Sequence, residues 1–250
     1  MSTNTQNLNK LRELRLNAMA TAYELQQEQA KLQHLAFDDR FGLLLESEVS
    51  TRNSRKLNRL VKSAGFPEVA AFEDYDARAS RGLDQALMST LSNCTWIGRK
   101  QNLMILGPTG VGKTWLASAF GHQACRLGMT VAFYVANDLF TSIGQAVLDA
   151  SLPKLKMALY KPNLLILDDF GIGEMSPTAA QVLLDVADRR MRTGSLLLTS
   201  QYPADTWHGF FPDPTVADAV LDRVVHQAHR VQLKGESMRK IRGRAALNPG

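Results

Sequence analysis

The segment that most constrains this chain is Gly107-Pro108-Thr109-Gly110-Val111-Gly112-Lys113-Thr114. It has the spacing G-x-x-x-x-G-K-[S/T], follows the apolar run 102–106 (NLMIL) and opens a helical pattern over 113–126. That order matters. Glycines let the backbone curl so that successive N–H groups face one anion, and a helix that starts there adds its positive dipole end. A lysine at the penultimate position reaches the outer phosphates, and the Thr114 hydroxyl suits the shell of a magnesium ion. A chain committed to this loop needs a strand before it and a helix after it, which implies an α/β architecture.

The rest of the C-terminal two-thirds agrees. Apolar runs at 131–135, 164–167, 195–199 and 229–233 alternate with helical patterns, so a mainly parallel sheet is expected. The run Leu164–Leu167 ends in Asp168-Asp169, placing two carboxylates at the sheet edge where open α/β sheets bind ligands. Asp168 is expected to hold the metal through water, and Asp169 to orient or deprotonate an attacking water. A third run, Ser195–Gln201, ends in small polar residues, so either Ser200 or Gln201 is positioned to sense the terminal phosphate. Arg223 follows a helical pattern built on Val216, Val220 and Val224, where it can project toward a neighbouring subunit.

Upstream, residues 8–64 read as helical. Leu8, Leu11, Leu14, Ala18, Ala22 and Leu25 recur at helical steps and are expected on one helix face; Phe41–Val49 and Leu57–Ala64 give two further patterns. Arg52, Arg55, Lys56, Arg59 and Lys62 form a cationic stripe on the last of these, without the interleaved aromatics that base stacking needs. The expected organisation is a helical N-terminal domain (1–65), a linker and lead-in (66–100) and an α/β domain (101–250) ending in a basic tail.

Net charge is +5, but Lys and Arg outnumber Asp and Glu by 3 over 1–65 and by 5 over 230–250, while acids exceed bases by 3 between them. The basicity therefore sits at the ends, which permits a polyanion partner. Two cysteines and five unspaced histidines support no disulfide framework or zinc site. No leader-like or membrane-spanning run is present, so a reducing cytoplasmic location is expected. With no G-x-S-x-G elbow there is no case for a serine hydrolase.

Taken together, the loop at 107–114, the Asp168-Asp169-Phe170-Gly171 strand end, Thr199-Ser200-Gln201-Tyr202-Pro203, the run 217–223 (ADAVLDR) and the run 235–239 (GESMR) resemble the AAA+ ATPases, more narrowly their IstB/DnaC-like branch. The lead-in Phe72-Glu73-Asp74-Tyr75-Asp76 belongs to the same pattern. The resemblance implies an AAA+ P-loop fold, a five-stranded parallel sheet preceded by a small all-helical domain, and ATP and Mg²⁺ as cofactors. It further implies ATP hydrolysis, head-to-tail homo-oligomers on duplex DNA that the assembly deforms, and recruitment of a transposase. By the same resemblance Arg223 is the finger offered to a neighbour's ATP, Arg239 a second sensor, and Phe72 and Tyr75 neighbours of the adenine. Asp169 stands where most AAA+ proteins carry Glu, so slow turnover is expected; the sensor position carries Gln201 where Asn is usual, which leaves Ser200 and Gln201 both open as the sensor. The alternatives are a replicative helicase loader and, from another class, a small-molecule P-loop kinase, for which no basic lid is visible.

Overall fold

The computed structural model describes residues 2–74, 84–226 and 228–238. By its internal contacts the chain divides into two compact units, Met1–Arg59 and Leu60–Gly250. In the sequence reading the division fell at 65.

The first unit holds helices α1 (Thr3–Glu13), α2 (Asn17–Glu28), α3 (Ala30–Gln33) and most of α4 (Phe37–Ala64). The leucine–alanine pattern over 8–25, expected on one helix face, is instead shared by α1 and α2. Arg15 turns into the left-handed region (φ 61°), and the N–H of Leu16 reaches back to the Leu11 carbonyl at 2.9 Å, closing α1 without a glycine. The two later patterns, by contrast, belong to one 28-residue helix, since the polar run between them interrupts the apolar stripe but not the backbone. No side chain of its own first residues caps α2. Glu48 of α4 does so instead, its Oε2 accepting from the amides of Ala18 (3.0 Å) and Met19 (3.1 Å). The guanidinium of Arg52, bonded to Glu48 at 2.7 Å, holds that carboxyl below its ordinary range, and the two helix amides lower it further.

The second unit continues with α5 (Gln85–Ser92), α6 (Thr95–Gly98), β1 (Asn102–Leu106), α7 (Lys113–Arg126), β2 (Val131–Val135), α8 (Ala136–Leu148), α9 (Leu152–Tyr160), β3 (Leu164–Asp168), α10 (Pro177–Thr193), β4 (Ser195–Ser200), α11 (Pro214–Val225) and β5 (Ala228–Gln232). All five strands are parallel, in the order β2-β3-β4-β1-β5. The three inner strands are buried at every residue, which is why they read as unbroken apolar runs, while the edge strands β2 and β5 also carry part-buried positions, with exposed ones in β5. Helices α8, α10 and α11 bury their apolar faces in one cluster against the sheet.

Arg190 joins the entry sides of β3 and β4. Its guanidinium is fully buried and donates to the carbonyls of Leu159, Pro162, Asn163 and Ser195 at 2.7–3.2 Å, and burial brings its pKa down to about 10. The segment before β1 packs into this unit: Ala70, Leu91, Cys94, Trp96 and Ile97 are buried, and Phe66 stacks on His122 of α7 at 4.3 Å.

Candidate functional site

Strand order explains the site. Because β4 lies between β3 and β1, the loop after β1, the carboxylates after β3 and the polar end of β4 emerge side by side at the C-terminal sheet edge. There the loop and Asp169 border a cleft of about 270 Å³ lined by Thr109, Gly110, Gly112, Lys113, Thr114, Trp115 and Asp169 of the core, with Glu68 and Asp74 of the lead-in and Met238.

The loop backbone is held from outside. Gly107 (φ 155°) and Gly110 (φ 84°) adopt conformations that L side chains rarely take, and at both a neighbour also excludes a Cβ. It would meet the Leu233 carbonyl oxygen at Gly107 and collide with Ser237 at Gly110. The same segment, 233–238, bonds over the loop: the Leu233 amide donates to the Leu106 carbonyl (2.7 Å) and the Met238 amide to the Gly110 carbonyl (2.8 Å). Val111 is buried beneath, and Pro108 lies on the opposite side of the loop, beside Gln201 and Tyr202.

Inside the cleft Lys113 Nζ donates to the Pro108 carbonyl at 3.1 Å. Burial lowers its pKa, against the opposing pull of Asp169 and Asp168. Thr114 Oγ1 donates to Asp168 Oδ2 at 2.8 Å, and the other oxygen, Oδ1, receives the Thr199 hydroxyl at 2.5 Å. Burial raises the Asp168 pKa, and these two hydroxyls and Lys113 act the other way. Asp169 takes a left-handed conformation (φ 56°), its amide bonded to Thr199 Oγ1 at 2.9 Å and that of Phe170 to the Thr199 carbonyl at 2.8 Å. Thr199 thus fixes both acidic residues. The sequence reading did not single it out, although register pairs Leu167 with Leu198 and so sets Thr199 beside Asp168.

The structure separates Ser200 from Gln201. Ser200 is fully buried, with its hydroxyl donating to the Phe170 carbonyl (2.6 Å) and accepting from the Tyr202 amide (3.1 Å). Gln201 Oε1 instead accepts from the loop hydroxyl of Thr109 at 2.7 Å. Phe72 packs edge-on against Phe120 of α7 at 4.9 Å and anchors the lead-in, while its neighbour Asp74 reaches the cleft. Trp115, missed in the sequence, is signalled only by its place directly after the Lys-Thr pair.

Arg223 is not brought to this cleft. Its Nε pairs with Asp188 of α10 at 2.9 Å and its Nη1 donates to the Ala219 carbonyl at 2.7 Å. Arg52, Arg55, Lys56, Arg59 and Lys62 are all exposed along α4. Tyr75, Arg239 and the tail beyond it lie outside the described residues. Among the described residues no helix is long and apolar enough to cross a membrane.

With this geometry in view, the comparisons are specific. The family described as IstB-like ATP binding protein matches residues 9–246. The insertion sequence ATP-binding protein y4pL of Sinorhizobium fredii is 41% identical over 233 residues, 93% of this chain and 95% of that one. The ATP-binding protein named for insertion sequence IS1162 of Pseudomonas fluorescens is 42% identical over 200 residues, 80% of this chain and 87% of the relative. Among solved structures, the DnaC helicase loader superimposes with a TM-score of 0.52 at 17% identity, covering 66% of this chain and 97% of that one, a likeness of fold. With its five-stranded parallel sheet and helical N-terminal region, the chain belongs to the IstB-like ATP-binding protein family.

Proposed function

We propose that the protein is an ATPase that assembles on duplex DNA and assists a transposase. The observation that carries the catalytic half is the Thr114–Asp168 bond of 2.8 Å beneath the phosphate loop, with Asp169 lining the same cleft. A hydroxyl and a carboxylate in contact are a hard-oxygen donor pair that suits magnesium, and Thr114 and Asp168 are the residues that would hold it. When bound, that ion neutralises charge on the outer phosphates. Lys113 exchanges its Pro108 carbonyl for a phosphate oxygen, Asp169 accepts a hydrogen bond from the attacking water, and Gln201, already against the loop, senses the terminal phosphate. Ser200 serves the turn rather than the ligand.

Arg223, remote from its own chain's cleft, acts on the ATP of the next subunit once it leaves Asp188. That arrangement is head-to-tail and yields a ring or an open helix. In such an assembly the exposed cations of α4 repeat along the DNA, and counterion release sums over subunits. The relatives' names, which tie them to insertion sequences, support a transposase as partner.

A gel-shift experiment on long duplex DNA tests this. Binding is expected to require ATP and Mg²⁺, to ignore sequence and to fall steeply with salt; Lys113→Ala is expected to abolish nucleotide binding and ordered assembly together. Binding that survives in Lys113→Ala refutes the coupling, and a strong preference for single strands favours a helicase loader instead.

A further inference from the structure

The two acids at the end of β3 differ in backbone. Asp168 still belongs to the strand, whereas Asp169 turns into the left-handed region (φ 56°) and Gly171 follows it there (φ 90°). A residue other than glycine stays in that region only where its surroundings hold it. Thr199 supplies one grip, through the Asp169 and Phe170 amides. A second comes from another segment, the aromatic turn Ala204–Phe210.

Phe170 is fully buried, and its ring meets those of Trp207 at 4.9 Å, Phe210 at 6.2 Å and Phe211 at 6.3 Å. Trp207 is fixed in turn, its indole N–H donating to the Tyr202 carbonyl at 3.1 Å. Phe210 lies so close to Gly171 that a Cβ there would run into its ring, and Tyr202 meets that ring edge-on at 5.2 Å. Phe210 thus contacts both residues that follow Asp169. It is only half-buried, and Gly171 offers it no side chain to pack on, so a ring laid there gains little apolar burial. What it fixes is backbone. Three residues separate Phe210 from α11, which packs on the same turn and carries Arg223. The loop of Asp169 and the helix of Arg223 share one mount.

We infer, resting on the water-binding role proposed for Asp169, that Phe210 is a positioning residue for hydrolysis. Laid on Gly171 and against Phe170, it keeps Asp169 in the left-handed turn that brings its carboxylate to the cleft, and it ties that placement to α11. A displacement of about 1 Å at a reacting group costs on the order of 100-fold in rate. Lys113, Thr114 and Asp168 are held by contacts of their own, so a loosened Asp169 shows in turnover and not in nucleotide or metal binding.

Phe210→Ala in the full chain tests this with two readouts. Hydrogen exchange without nucleotide reads the clamp: the Asp169 and Phe170 amides, both bonded to Thr199, are expected to exchange about tenfold faster than in the wild type. Steady-state hydrolysis reads the consequence: turnover is expected to fall about 10–100-fold, with ATP affinity and its magnesium dependence within about 3-fold of wild type. Val186→Ala, a buried change on α10 in the same core, controls for general loosening; it should lower the melting temperature and leave turnover and those two amides unchanged. Should Phe210→Ala melt below the assay temperature, Phe210→Leu, which keeps apolar bulk without the flat ring, is read in the same way. Wild-type turnover in the variant, unchanged exchange at the two amides, or a loss of ATP affinity equal to the loss of turnover overturns the proposal. A wild type without hydrolysis overturns instead the role of Asp169 on which it rests, and the exchange readout, which needs no ATP, still decides whether Phe210 holds the loop.

Discussion

Thr199→Val removes one hydroxyl and almost no volume from a fully buried position, so its consequences are electrostatic. Asp168 Oδ1 loses its 2.5 Å donor and the Asp169 amide its 2.9 Å acceptor. A hydrogen bond to a charged group contributes about 1.5–3 kcal/mol, and a stranded buried amide costs about 1–3 kcal/mol. Because one side chain serves both groups and the site can relax, a net destabilisation of about 2–4 kcal/mol is expected from these values. In a unit of this size that lowers the melting temperature by about 5–15 °C.

The acid side moves too. Asp168 is already harder to ionise than an ordinary aspartate, because it is buried, and the Thr199 bond works against that. Its folded pKa lies above the unfolded one, so it favours the folded state in acid, and that contribution is lost as pH rises through the folded value. Magnesium-dependent binding, which needs the ionised form, should accordingly fail on acidification above the ordinary aspartate range, and at still higher pH in Thr199→Val. The assay is ATP titration with and without Mg²⁺ across pH, beside chemical denaturation. ATP affinity without Mg²⁺ should change little, since Lys113 and the loop are intact, whereas the gain from Mg²⁺ and the turnover should drop about 10–100-fold, as for loss of about 1.4–2.7 kcal/mol. Thr199→Ser should restore both. Thr199→Val within about 0.5 kcal/mol of wild type, with unaltered magnesium dependence, refutes the role given to this residue.

Three further substitutions separate neighbouring roles. Ser200→Ala should destabilise the fold by about 1–3 kcal/mol, because it strands the Phe170 carbonyl, and leave magnesium dependence intact; Gln201→Leu should do the reverse, lowering turnover about 10–100-fold with little change in melting. Arg223→Ala breaks a part-exposed pair with Asp188 and should cost at most about 1 kcal/mol, yet remove hydrolysis while sparing ATP binding; wild-type turnover would exclude the finger role. Glu48→Ala uncaps α2 and should loosen the first unit by about 1–2 kcal/mol, seen as lost helical signal on mild heating. Since the Glu48 pKa is lowered on folding, the same contribution is present above about pH 4.5 and should fade in wild type as pH falls below that value.

Most of the second unit was legible because its signals are local. Short apolar runs alternating with helical patterns read as strands of a covered parallel sheet, and the phosphate loop fixes a strand–turn–helix by its glycines. All five strands stand within one residue of the runs read from the sequence. The first unit was less legible. Nothing in the 8–25 pattern shows the break at Arg15, since that turn uses neither glycine nor proline, and nothing between Val49 and Leu57 shows that α4 runs on through a polar stretch.

What the sequence determined by itself, then, is the phosphate loop, the acidic strand end and the alternation that makes a parallel sheet, all set by neighbours along the chain. Strand order was decided only in three dimensions. By inserting β4 between β3 and β1 it put Thr199 on Asp168 and Gln201 on the loop, gave Ser200 to a turn, and left Arg223 bound to Asp188 away from the cleft. A hydroxyl, an amide and a guanidinium each bond whatever the fold brings within about 3 Å. Which of several polar residues touches the ligand is therefore a property of the packed sheet, and no spacing along the chain encodes it.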